Sequence, residues 1–263
     1  MTVFISKIYA GLLSDIEIPS QLARHLRRAD DFIRLGVAAA HNVLGDEMLQ
    51  TSEEKCSCGI FLSTFTGPMN TNIDVLKEIV HLNPLSPTLF SHSVANSAVG
   101  YMANIFNIQG CTMSCTEFEF PFFRALEQGM CTIESGLVSS CLVLQVETYS
   151  NLLKDVRQKQ YPESDEWQPG VACWFLTNNE TTAQFSIDSL TIENTDTNDC
   201  NYLSCEEHVT LNQEKWSHQD PLKTARLLSE NLSKNKKSPM VCVSRAAHST
   251  VRLEISPSCS WQL

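Results

Sequence analysis

The chain is short of positive charge. Nineteen Lys and Arg stand against thirty Asp and Glu, a formal net charge of −11 over 263 residues. No Lys/Arg stripe interrupts that balance, so recognition of nucleic-acid phosphates is not expected. No apolar run approaches the ~20 residues needed to cross a bilayer, so membrane insertion is not expected either. Residues 1–13 are too short and too lightly charged to read as a secretory signal. There is no phosphate-cradling glycine loop, no Gly-x-Ser-x-Gly and no His-Glu-x-x-His. Internal repeats are missing too, and no cofactor or metal is expected.

What is present is enough apolar material for one core: 43% hydrophobic and 19% charged residues, the balance of a soluble globular protein. Eleven cysteines are many and odd in number. Cys58, Cys141, Cys173 and Cys242 sit inside apolar runs, where free thiols behave as small hydrophobes, a usage that points to a reducing cytoplasm. Cys56 and Cys58 with Cys200, Cys205 and His208 offer zinc-type ligands, but the first spacing is wrong and Cys58 opens an apolar strand, so the grouping reads as chance.

In order, Val3–Tyr9 reads as a strand, Gln21–Leu44 as one long helix and Cys58–Phe65 as a buried strand. A helix capped by Asn72 runs to about Leu82. Arg24, Arg27, Arg28 and Arg34 read as a solvated face paired with Asp30 and Asp31. Apolar steps of three and four from Asn96 to Ile108 predict a helix ended by Gly110. Cys111–Thr116 is a short strand, Phe120–Leu126 opens a helix, and Leu137–Val146 is a strand covered on both faces. Residues after Glu147 to Pro169 read as loop, then Val171–Leu176 and Phe185–Ile192 as strands. Residues 195–219 are polar and aperiodic. Leu222–Leu232 reads as a helix, with Met240–Val243 and Val251–Ile255 as short strands.

The stretch from Ser91 to Thr148 resembles the nucleophile region of the β-ketoacyl synthases of the thiolase superfamily. There an Asn-x-x-Ala/Val-Gly helix leads to a glycine and a strand, the catalytic Cys follows at a helix tip, and the next strand precedes a Glu. Asn96, Gly100, Gly110, Gly136 and Glu147 fall into that pattern. The nucleophile position holds Glu119, and Cys115 lies four residues earlier, on the strand. A carboxylate cannot form and pass on an acyl thioester. The family's two catalytic His come from a second half of the fold, and none of the seven His here follows their motif. His92, near the site, reads as a structural residue.

The resemblance therefore implies a thiolase-like α/β half-fold: a mixed five-stranded sheet covered by helices over residues 1–194, with a small C-terminal α/β extension, 195–263, packing on the same domain. It is closest to the short chain length factor relatives, non-catalytic subunits in type II fatty-acid or polyketide synthesis, with aryl polyene systems among them. The implied partner is a full-length ketosynthase in a heterodimer, with the acyl carrier protein reached mainly through that partner. Asn96 and Cys111, Thr112, Met113, Ser114, Cys115 and Thr116 would form the dimer interface. Leu89 and Phe90, with Ile73 and Leu76, would set acyl-chain length. Glu119 has two readings, a buried carboxyl assisting malonyl decarboxylation or a residue bonding across the subunit interface. The rivals are a stand-alone decarboxylase or acyltransferase using Glu119 or Cys115, and a non-enzymatic acyl-binding scaffold.

Overall fold

The longest uncharged apolar runs become the centre of the sheet. Strands β2 (Cys58–Thr64), β4 (Ser140–Glu147) and β5 (Gly170–Thr177) are buried along their whole length. Strand side chains alternate between faces, so each run feeds two cores. Ile60, Leu62, Leu142, Leu144, Val171 and Cys173 face one layer, while Phe61, Val143, Trp174 and Leu176 face the other. The computed structural model describes residues 2–45, 51–81, 84, 86–162, 166–194, 209–210, 220–235, 237–245 and 249–258.

Helices α1 (Asp31–Leu44) and α5 (Asn96–Phe106) cover the first face; α6 (Pro121–Glu134) and α8 (Lys223–Lys234) cover the second. The remaining strands are β1 (Val3–Leu12), β3 (Thr112–Thr116), β6 (Phe185–Asn194), β7 (Val209–Thr210), β8 (Met240–Arg245) and β9 (Ser249–Pro257). Their order across the sheet is β3-β2-β4-β5-β1-β6-β9-β8-β7. β2 is parallel to both β3 and β4, and β4, β5, β1, β6 and β9 run antiparallel in turn.

A five-stranded sheet is expected over residues 1–194, and six strands from that span, β3, β2, β4, β5, β1 and β6, join it in that order. The sheet does not stop there. It has nine strands among the described residues, because β6 pairs with β1 on one side and with β9 on the other. The C-terminal extension is thus hydrogen-bonded into the same sheet, and α8 packs onto it through Ala225, Leu228 and Leu232.

Several boundaries differ from expectation. The helix over 21–44 begins only at Asp31, because the Asp30 carboxylate caps Ile33 N at 3.0 Å. Residues 20–28 form turns that still bury Leu22 and Leu26. Asp30 also accepts from Thr71 Oγ1 at 2.5 Å, and among the described residues Arg34 pairs with Asp31, at 3.6 Å. Helix α3 (Met69–Val80) starts three residues before Asn72. Residues Pro87–His92 form a short helix, α4, and Asn151–Gln160 form α7 where a loop was expected. α7 has no apolar stripe, since Leu152 and Val156 are exposed, and its start is fixed by Ser150 Oγ accepting from Leu153 N. α5 ends at Asn107, which takes the left-handed conformation (φ 53°) assigned above to Gly110. Gly110 is needed for another reason: a Cβ there would stand 2.1 Å from the Cys58 carbonyl oxygen. The last short helix, α2 (Ser52–Cys56), is closed by a capping box between Thr51 and Glu54. Residues Cys200, Cys205 and His208 lie outside the described residues.

Candidate functional site

The site is built where β3 turns into α6. β3 is the outer strand of the sheet, with register Ile60↔Thr112 to Thr64↔Thr116. Ile60 N donates to Cys111 O and Glu117 N donates to Thr64 O. In a parallel ladder these fix the alternation: Cys111, Met113 and Cys115 bond inward to β2, while the amides of Thr112, Ser114 and Thr116 point away from the sheet. Asn96 and Cys111 are exposed, and Cys115 is half-buried in the middle of the strand.

The turn after β3 is tied by a residue the sequence reading passed over. The Glu117 carboxylate accepts from Phe118 N (2.8 Å) and Glu119 N (3.1 Å) and faces Arg124 at 3.7 Å. A carboxylate four residues before a helix is the only signal that could have marked it. Phe120 then caps α6 in the left-handed conformation, φ 60° and ψ 51°. Such a bulky residue there is strained, a feature that clusters at functional positions. Glu119, one residue earlier, is half-buried, and its Oε2 accepts from Ser249 Oγ at 2.5 Å, at the start of β9. That bond is made within the chain.

Behind the turn lies a cavity of about 210 Å³, lined on the apolar side by Phe65, Phe118, Phe120, Phe122, Phe123 and Trp167. Its polar wall includes Gln145 and Asp220. Next to it, the fully buried Glu147 receives Phe65 N at 2.6 Å, Gln145 Nε2 at 3.0 Å and Thr64 Oγ1 at 3.2 Å. Burial outweighs these bonds and pushes its carboxyl up to about 7. Burial also raises Asp220, which accepts from Tyr149 Oη (2.5 Å) and Leu222 N (3.0 Å). Glu119 and Cys115 do not line this cavity. His92 is buried, with Nε2 3.0 Å from Tyr101 Oη. Leu89 is half-buried and Phe90 exposed on α4, and Ile73 half-buried and Leu76 exposed on α3. They stand apart from the cavity on two helices that pack together; Ile79 and Val80 on α3, and Val94 just after α4, are also exposed.

Residues 18–236 match the family model described as "Beta-ketoacyl synthase, N-terminal domain". The chain belongs to this family. Solved structures agree on the fold. One chain of a ketosynthase (ApeO) in complex with its chain length factor (ApeC) from Xenorhabdus doucetiae aligns with TM-score 0.65 and 16% identity, over 97% of this chain and 99% of that one. A chain of the ishigamide ketosynthase/chain length factor aligns with TM-score 0.67 and 11% identity, over 98% and 99%. A β-ketoacyl synthase from Burkholderia phymatum STM815 gives 0.68 and 9%, over 97% and 99%. No curated protein matches the chain. The fold is thus the thiolase-like α/β fold of the ketosynthases. In this family member the segment between β3 and α6 carries the Glu119 carboxylate and, at Phe120, a strained left-handed phenylalanine.

Proposed function

We propose that this chain is a non-catalytic, chain length factor-type partner of a β-ketoacyl synthase in type II fatty-acid or polyketide assembly, with aryl polyene systems among them. The observation that carries the reading is β3. Its outward side has no strand neighbour among the described residues. Thr112, Met113, Ser114, Cys115 and Thr116 include no charge and no proline, the two usual protections of an edge. An uncharged edge of this kind is a template for a second strand, and in ketosynthases the two subunits join there.

Three further features support the reading. Glu119 cannot serve as an acyl carrier. Chains from two assemblies described as ketosynthase with chain length factor align with this one over 99% of their own length, which supports the reading. The exposed Phe90 and Leu76 form an apolar surface that calls for cover. In the partnered state, Leu89 and Phe90, with Ile73 and Leu76, would face the partner's acyl tunnel and limit chain length by bulk. With a net charge of −11, the chain would leave an acidic carrier protein to its partner. No described helix is long and apolar enough to cross a membrane, and every described cysteine is free, which suits a cytoplasmic assembly.

Product analysis tests the role. Leu89→Ala and Phe90→Ala, singly or together, should lengthen the products of a heterodimer reconstituted with an intact ketosynthase, with total turnover little changed. A growing chain gains about 0.8 kcal/mol per buried methylene, and a blocking side chain replaces that gain with a steric cost of ~1–3 kcal/mol. Unchanged lengths in an intact complex would remove the chain-length role.

A further inference from the structure

The cavity behind the α6 turn has chemistry that a merely packed core lacks. Six aromatic rings line it, and their mutual geometry is edge-to-face: Phe65 with Phe118 at 5.5 Å and with Trp167 at 5.7 Å between centroids. Such rings offer edges and faces that favour another ring over an alkyl chain. At about 210 Å³ it is smaller than the ~300–1,000 Å³ of clefts for drug-sized ligands. A single small ring system suits it.

One polar group specifies the ring's substituent. Gln145 is fully buried and lines the cavity. Its Nε2 donates to Glu147 Oε1 (3.0 Å) and Pro221 O (3.1 Å), which fixes the orientation of the amide. Its Oε1 has no hydrogen-bond partner among the described residues and almost no accessible surface, so a ligand in the cavity reaches it by a small shift of the wall. A buried acceptor without a donor is costly, and a ligand that donates a hydrogen bond relieves it. The lining sets the charge: an anion entering it would lose its water without gaining a cationic partner among the residues that line the cavity.

We propose that this cavity is a binding site for a small uncharged aromatic alcohol, whose ring lies among Phe65, Phe122, Phe123 and Trp167 and whose hydroxyl donates to Gln145 Oε1. The inference does not depend on the proposed partner. It assigns a ligand site to the chain itself, at the place where a catalytic thiol is absent.

Phenol, anisole and benzoate serve as probes, titrated into the purified full chain by calorimetry. Anisole keeps the ring and oxygen but has no O–H to give, and it is the more apolar of the two. The expected result is that phenol binds more tightly than anisole by roughly tenfold, that benzoate does not bind, and that Thr224→Phe, which adds a ring at the cavity wall, abolishes phenol binding. In Gln145→Leu the preference for phenol should vanish while anisole binding persists. Should that variant fail to fold, the wild-type ratio and Thr224→Phe still decide. Anisole equal to or tighter than phenol, no binding of either, or phenol binding unaffected by Thr224→Phe would each overturn the proposal.

Discussion

Glu119 and Glu147 are both acids in the same corner of the fold, and burial separates their roles. Glu119 is half-exposed and tied to Ser249. It holds β9 against the α6 turn and has no thiol chemistry to offer. Incubation with acyl- or malonyl-carrier thioester, followed by intact-mass measurement, should show no acyl adduct; a stoichiometric adduct on Cys115 would instead revive the enzyme reading. Glu147 is different, because its folded-state carboxyl sits near 7 against an ordinary 4.5. The folded state therefore holds a proton that the unfolded chain releases. Its contribution to stability is complete below about pH 4.5 and is lost as pH rises to about 7, at roughly 1.4 kcal/mol per pH unit. Glu147→Gln should flatten the urea-unfolding profile in that window. A variant with the wild-type slope would show that another group titrates there.

The elements differ in how plainly the chain announces them. β2, β4 and β5 were legible because continuous apolar runs have few other uses. α5 was legible from its three- and four-residue steps, and α6 from the apolar run that opens it. α7 was not, because its apolar side chains lie on no single buried face, and the nine-stranded sheet was not, because pairing of β6 with β9 is a long-range event that no local pattern carries. At the site, Glu119 and the β3 edge could be placed from motif spacing. The cavity could not: Phe65, Gln145, Trp167 and Asp220 are distant in sequence, and only the fold brings them together. Two predictions belong to this scale. Gly110→Ala should destabilise the chain by about 1–3 kcal/mol or more, since its Cβ would meet the Cys58 carbonyl at the α5–β3 connection; a denaturant midpoint unchanged from wild type would contradict the packing. Ser114→Pro removes an amide that points away from the sheet, so the monomer's inner ladder should survive while pairing through β3 is lost. Circular dichroism checks the first half of that statement.

At the scale of the whole molecule, the sheet has one charge-free open edge among the described residues, and α3 and α4 carry an apolar surface. The strands β6, β9 and β8 close the other side of the core. Under the proposed function, a second subunit would cover the edge and carry the chemistry. The most direct test is co-expression with an intact ketosynthase, followed by mass measurement of the purified assembly. The account predicts a stable complex with equal numbers of the two chains, lost in folded Ser114→Pro. Separate elution of the two proteins with every ketosynthase encoded beside this chain, or a complex unaffected by Ser114→Pro, would contradict it.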